Sequence, residues 1–318
     1  AVLSIDESPM DPLHLTLRQL QVFAAVARGG STAAAGAAIG LSQSATSAAL
    51  KELERMLGTP LFDRAAKRLQ LNSSGRALLP RALSLLDGAT SLQRAAHGDH
   101  DTPDALRIGA STTIGNYVLP RWLSLHWAPW YAAQPPEWHA EVMIGNTAEI
   151  CRAVADFNLD VGLIEGPCHD PRLQARPWLR DDLLVVASPR LARQLQAPAA
   201  ASPAVPVSVL RQQVWLLREA GSGTRVATDF ELLPHLRTYR RSIELGNSEA
   251  IKHAAAEGLG LACLSEWVVA DLLKSGRLMR VPTTLPRMRR SCHLVLHRHK
   301  QMTGALERLT ASLMQNGS

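Results

Sequence analysis

Near the start of the chain, apolar positions recur at the three- and four-residue spacing of a helix, through Leu20, Phe23, Ala24 and Ala27. Thr16 and Gln19 stand just ahead of them in the form of a capping box, whose two side chains satisfy free backbone N–H groups. Gly29 and Gly30 then stop the helix, and Ser31 caps a short alanine-rich one, residues 32–39, that Gly40 ends. Ser42 caps a third helix, with Ala45, Ala49, Leu50, Leu53 and Leu57 as its buried stripe and Gly58 as its stop. Ala34, Ala35, Ala37 and Ala38 are the expected contacts of a compact three-helix core, and two helices about a glycine-containing turn make a helix-turn-helix.

Residues 61–64 and 68–71 follow as two short strands about a tip, a hairpin that carries Arg64, Lys67 and Arg68 as a basic wing. The reading is an extension over residues 1–15 and an N-terminal all-α winged helix-turn-helix over 16–72. A long helix comes next, 73–97, whose stripe Leu78, Leu79, Ala82, Leu85, Leu86, Ala89 and Leu92 exceeds what a small winged domain covers. It is expected to pair with its copy in a homodimer or homotetramer. Pro80 either kinks it or marks a later start.

After a hinge of turn-forming composition, 98–104, the pattern changes to strands that run into helices. One strand ends at Ser111, Thr112 and Thr113 before a helix through Tyr117 and Leu123. Others end at Gly145, Asn146 and Thr147, at Glu165 and Gly166, at Gly221, Ser222, Gly223, Thr224 and Arg225, and at Asn247 and Ser248. Repeated units of this kind imply an open α/β sheet with a ligand at the carboxyl ends of its strands. Helix N-termini, hydroxyls and close-approaching glycine N–H groups suit an anion there, with Arg225 as a forked cation. Each feature also has a plainer reading: Ser and Thr at helix starts are ordinary caps, and Arg225 is a structural ion pair. Glu165 would repel an anion unless it fixes Arg225 or rejects larger ligands.

Composition narrows the classes. The 318 residues are 46% hydrophobic and 19% charged, enough for two globular domains. No apolar run spans a bilayer, and acids stand at the start where a secretory signal would be basic, so a cytoplasmic location is expected. The four cysteines, Cys151, Cys168, Cys263 and Cys292, form no Cys-x-x-Cys pair, which argues against a disulfide framework or zinc knuckle. The net charge is +6, and residues 12–81 alone hold nine bases against three acids. That concentration suits nucleic acid.

On the third helix, Gln43, Ser44, Thr46, Ser47 and Lys51 lie opposite the apolar stripe, with Ser42 and Thr32 at the neighbouring helix starts. Such a face either reads double-stranded DNA in the major groove or is a solvated polar surface. Residues 31–54, followed by Leu57-Gly-Thr-Pro-Leu-Phe-Asp-Arg64, resemble the DNA-binding signature of LysR-type transcriptional regulators. Ala48 departs from the Arg that many members carry, so operator contacts do not transfer directly.

The resemblance implies a C-terminal α/β effector domain, similar to periplasmic binding proteins, over residues 105–318. Its two subdomains would be about 105–178 with 282–318, and about 179–281. Residues 221–225, 244–253, 108–120 and 164–169 look most like the sulfur-metabolism branch of CysL and YeiE type, with carbon-fixation regulators as near cousins. By that resemblance the effector is a small oxyanion, sulfite or a related sulfur species first and a phosphorylated metabolite second, acting on sulfur-metabolism-type genes.

Cys292, His293, His297 and His299 suggest a metal site, but Arg289, Arg290, Arg298 and Lys300 oppose a cation, and an exposed edge strand is expected instead. Cys168, next to the proposed cleft, has an oxidant-sensing reading, but no resolving cysteine is close in sequence and a small buried thiol is expected instead. An enzyme is the alternative class. No nucleophile elbow, P-loop, dinucleotide fingerprint or paired metal ligands occur, and neither catalytic residues nor a cofactor are expected. A transport-type binding protein would have no use for residues 16–72.

Overall fold

The structure is a computed structural model that describes residues 14–65, 68–96, 106–134, 138–196 and 204–315. The chain divides into two compact units that meet at residues 95 and 96.

The first unit contains α1 (Leu17–Gly29), α2 (Thr32–Ile39), α3 (Gln43–Leu57), the hairpin β1 (Phe62–Ala65) and β2 (Arg68–Leu71), and α4 (Ser73–Ala96). The Thr16 hydroxyl accepts from the Gln19 N–H at 3.3 Å while the Gln19 side chain accepts from the Thr16 N–H at 2.9 Å, which completes the capping box. Gly30, Gly40 and Gly58 end the first three helices in the left-handed region, where a Cβ would be strained. Leu20, Phe23, Val26, Leu50, Leu53 and Leu61 form the core. α4 is continuous through Pro80, so that proline neither breaks the helix nor starts it.

Two details differ from the pattern reading. In α2 only Ala35 and Gly36 are buried, and Ala34, Ala37 and Ala38 are exposed. In α3 the buried positions are Thr46, Leu50 and Leu53, whereas Ala45 and Leu57 are exposed. One contact accounts for the buried Gly36 and Thr46. α2 and α3 approach so closely at Gly36 that a Cβ there would lie 2.9 Å from the Thr46 hydroxyl oxygen and 2.6 Å from the Leu41 carbonyl.

The second unit opens with β3 (Leu106–Ser111). A helical run follows in which α5 (Leu119–Trp122) and α6 (Ala128–Tyr131) alternate with π-turns at Ile114–Val118 and Leu123–Trp127. Next come β4 (Ala140–Gly145), α7 (Thr147–Ala155), β5 (Val161–Glu165), β6 (Leu173–Ala187), α8 (Pro189–Leu195), α9 (Val207–Leu210), β7 (Val214–Arg218) and α10 (Gly223–Leu236). β8 (Arg241–Leu245), α11 (Ser248–Ala256), β9 (Leu261–Ser265), α12 (Glu266–Lys274), β10 (Met279–Arg280), β11 (Met288–His297) and α13 (Gly304–Gln315) complete it.

Sheet order is β4-β3-β5-β11-β6-β9-β7-β8, with β10 paired to β6. Parallel strands β4, β3 and β5 form one half, and β9, β7 and β8 the other. The long strands β6 and β11 run antiparallel and join the halves, with a register shift between Cys292 and His293. Separate apolar cores lie on either side of this junction, one around Ile108, Leu163, Leu294 and Leu306, another around Leu183, Trp215, Leu232 and Leu261.

The expected exposed edge strand at residues 292–299 is therefore corrected. β11 is bonded to β5 on one side and β6 on the other, and Cys292, Leu294, Val295, Leu296 and His297 are buried. The histidines do not lie along one open face: His297 is 3% exposed, and its Nδ1 accepts the His299 N–H at 3.0 Å just past the strand.

Burial against the Phe157 ring, whose centroid is 4.1 Å away, lowers the His297 pKa to about 4, helped by His299, Arg172 and Lys300 and opposed by Asp170. An imidazole kept neutral in the fold stabilises it above the unfolded pKa, and that stability is lost as pH falls toward the folded value. Urea unfolding should thus show about 1–2 kcal/mol less stability at pH 5 than at pH 7 from this group, after discounting for solvent screening. His297→Gln should flatten that slope, and an unchanged slope would remove His297 as its source.

Candidate functional site

In the first unit, the Ser42 hydroxyl accepts from the Ala45 N–H at 3.1 Å and lies 3.0 Å from the Ser44 hydroxyl, so its role is the helix cap. Gln43, Ser44, Ala48 and Lys51 are exposed on α3, with Ser47 and Thr32 half-buried. Thr46 leaves this face: it is fully buried, and its hydroxyl donates to the Ser42 carbonyl at 2.9 Å. A hydroxyl that finds its acceptor one helical turn back can enter a core without an unsatisfied polar group. Arg64 pairs by backbone with Leu69, Arg68 is exposed, and Lys67 lies outside the described residues. The β2 strand is tied to the C-terminal cap of α1 by the Leu69 N–H, which donates to the Gly30 carbonyl at 2.8 Å.

In the second unit the helix starts named from sequence join in one connected network. The Thr113 N–H donates to Glu165 Oε1 at 3.1 Å. The Thr147 hydroxyl donates to the Glu165 carbonyl at 3.2 Å and accepts from the Gly223 N–H at 3.1 Å. The Ala148 N–H donates to the Gly221 carbonyl at 3.1 Å. The Thr112 hydroxyl donates to the Gly145 carbonyl at 3.2 Å. Asn146, Ser222 and Asn247 cap α7, α10 and α11 respectively. Ser111, Ser222, Thr224 and Ser248 are buried, and Asn247 is exposed.

Arg290 of β11 lies at the centre of this network, its side chain 3% exposed. It donates to Asp181 at 2.7 Å, to the Thr224 hydroxyl at 2.8 Å and to the Thr113 hydroxyl at 3.4 Å, and lies 3.8 Å from Glu165. Thr113 and Thr224 belong to opposite halves of the sheet, so one guanidinium bridges them. Burial works to raise Glu165, but Arg290 and the Thr113 donor outweigh it and hold the carboxyl below its usual range. Asp181 is moved the other way, because burial exceeds the help it receives from Arg290 and Ser265.

Arg225 does not serve as the open cation. It is bonded to Asp229 at 2.9 Å, to Glu244 at 3.3 Å and to the Arg218 carbonyl at 2.8 Å, the structural ion pair of the alternative reading. Nor is Glu165 its partner, since that acid faces Arg290. The cations missing from the sequence reading are Arg290, Arg218 and Lys252, each with a side chain 3% exposed. Arg218 grips Glu219 through two bonds of 2.7 and 2.8 Å and donates to the Ser248 hydroxyl at 3.0 Å. For Arg290 a signal existed, because strand alternation places it on one face with Met288, Cys292 and Leu294.

A helix-turn-helix with a hairpin and a two-halved α/β unit with capped helix starts at its centre have direct counterparts among known proteins. Residues 17–76 match the model of the bacterial regulatory helix-turn-helix protein, lysR family, and residues 100–318 match the LysR substrate binding domain. The chain belongs to the LysR family. It is a ligand-responsive transcription regulator, not an enzyme.

Among similar proteins, this LysR regulator is 46% identical over 296 residues to the uncharacterized HTH-type transcriptional regulator YeiE of Escherichia coli K12, covering 93% of this chain and 96% of that protein. It is 31% identical over 253 residues to the regulator CysL of Bacillus subtilis 168, covering 79% of this chain and 80% of CysL. In fold it matches ArgP from Mycobacterium tuberculosis with a TM-score of 0.67 at 19% identity, covering 94% of this chain and 96% of ArgP. Among the described residues no helix of the regulator is long and apolar enough to cross a membrane.

Proposed function

We propose that this LysR regulator senses a small oxyanion at the junction of its effector domain, with sulfite or a related sulfur species as the ligand, and controls sulfur-metabolism-type genes. The observation that carries the reading is the convergence of hydroxyl-bearing helix starts from both halves on the buried Arg290. In this reading Ser111, Ser222, Asn247 and Ser248 donate to the anion, beside Arg290 and Arg218, whose charges Asp181, Glu165 and Glu219 already balance. Glu165 already holds the Thr113 N–H, so an anion at this junction would sit beside a resident carboxylate. The likeness of residues 221–225, 244–253, 108–120 and 164–169 to the sulfur-metabolism branch supports sulfite over a phosphorylated metabolite.

Binding shifts the balance between two arrangements of the halves and so changes how paired winged domains of a cytoplasmic dimer or tetramer meet promoter DNA. On α3, Gln43 and Ser44 contact base edges and Lys51 engages phosphates, as do Thr32 of α2 and Arg68 of β2. Lys51→Ala should weaken retardation of promoter DNA about equally for all sequences and reduce the salt slope by about 1, whereas Gln43→Ala should relax base preference. An unchanged salt slope would remove Lys51 from the interface.

Calorimetry with sulfite, sulfate and phosphorylated metabolites tests the effector. Sulfite should bind, and Ser111→Ala should weaken it at least about tenfold while DNA retardation is retained. Heat only from a phosphorylated compound would overturn the sulfite reading.

A further inference from the structure

Two of the four cysteines meet in the fold although they lie 17 positions apart in sequence. Cys151 on α7 and Cys168 in the turn after β5 have their sulfurs 3.6 Å apart, with the Cys151 thiol donating to Cys168. Both are reduced and partly exposed. Their position connects them to the junction: Thr147 and Cys151 lie on one face of α7, four residues apart, and contact the same returning segment. Thr147 bonds Glu165 at 3.2 Å, and Cys151 meets Cys168 three residues further on.

We propose that Cys151 and Cys168 are a hydroperoxide-reactive pair, closing to a disulfide that staples α7 to the segment carrying Glu165. The hydrogen bond from Cys151, with a further one from the Asp170 backbone, outweighs burial and holds Cys168 below the usual thiol range, to about 6. Cys151 moves in the opposite direction for the same reason. Cys168, which accepts both of these hydrogen bonds, is placed as the attacking thiolate and Cys151, the donor, as the resolving thiol.

In the first step the Cys168 sulfur attacks the peroxide: an S–O bond forms, the O–O bond breaks, and the departing alkoxide or hydroxide takes up the proton that Cys168 released. In the second, Cys151 gives up its proton and its sulfur attacks the sulfenic sulfur of Cys168. The S–S bond forms, the S–O bond breaks, and hydroxide leaves with that proton as water. Two thiols are oxidised by two electrons, and one hydroperoxide is reduced to an alcohol or water. The other two cysteines do not share this chemistry. Cys263 is buried and pushed up to about 12, and Cys292 is fully buried and raised as well.

The test is to treat the full-length reduced protein with a small excess of hydrogen peroxide, quench, denature and count alkylatable thiols. The count should fall from four to two, and a non-reducing peptide map should join the Cys151 and Cys168 peptides within one subunit. Dithiothreitol should restore four. The pair should be lost at least about tenfold faster than Cys263 and Cys292. The rate should climb as pH rises through about 6, following the Cys168 thiolate. In Cys151→Ser, dimedone should trap a sulfenic acid at Cys168. Four remaining thiols in the oxidised wild type, a link only between subunits, or equal loss of the buried cysteines would each overturn the proposal.

Discussion

Arg290→Met should destabilise the effector unit by about 3–5 kcal/mol at pH 7, because it removes the only base bonded to Asp181 among the described residues and leaves two buried acids without their counter-charge. Methionine fills much of the volume, so the loss reports charge rather than a cavity. All seven tryptophans lie between residues 122 and 267, so fluorescence in a urea titration follows this unit alone. The penalty should shrink on acidification. Without Arg290 both carboxyls have raised pKa values in the folded state, so their cost is full at neutral pH and fades as they take up protons. The double variant Arg290→Met with Asp181→Asn should recover part of the loss. An unchanged urea midpoint at pH 7 would show that this network does not hold the halves together.

How much of this could be read from the chain depends on whether the signal is local. The Thr16–Gln19 box, the serine caps and the glycine stops act within a few residues, and the three helices appear where those signals place them. The strand-to-helix units were legible for the same reason, since alternation and caps are local. The face of α3 was not. Ala45 and Thr46 are neighbours in sequence, and only the close approach at Gly36 turns the threonine inward and the alanine out.

Arg225 and Arg290 show the same limit in electrostatics. The first stands in a glycine-rich turn that favours an anion, yet Asp229 one helical turn on and Glu244 of β8 capture it. The second lies in a run of arginines that reads as surface charge. It becomes the central cation because β11 joins the two halves, a fact of topology and not of composition. The Cys151–Cys168 contact is likewise invisible in spacing, since it requires α7 to return along β5.

Gly223→Ala is expected to disturb the junction most sharply for its size. A Cβ at this position would lie 2.2 Å from the Glu165 carbonyl oxygen and 2.5 Å from the Thr147 hydroxyl. The first obstacle is backbone, so no side-chain rotation relieves it, and α10 must move away from β5. That movement breaks the bond from the Gly223 N–H to Thr147 and draws Thr224 from Arg290. Overpacking of this kind costs about 1–3 kcal/mol. Under the proposed sulfite reading, binding should fall more than stability does, at least about tenfold, because the helix starts no longer converge. Gly246→Ala is the control: nothing lies within 4 Å of its Cβ position, and it precedes another of the capped helix starts. If both variants bind sulfite like the wild type, the contact of α10 with Glu165 and Thr147 does not shape the ligand site. If only Gly223→Ala loses it while still retarding promoter DNA, the junction and the DNA-reading face are separable functions of one chain.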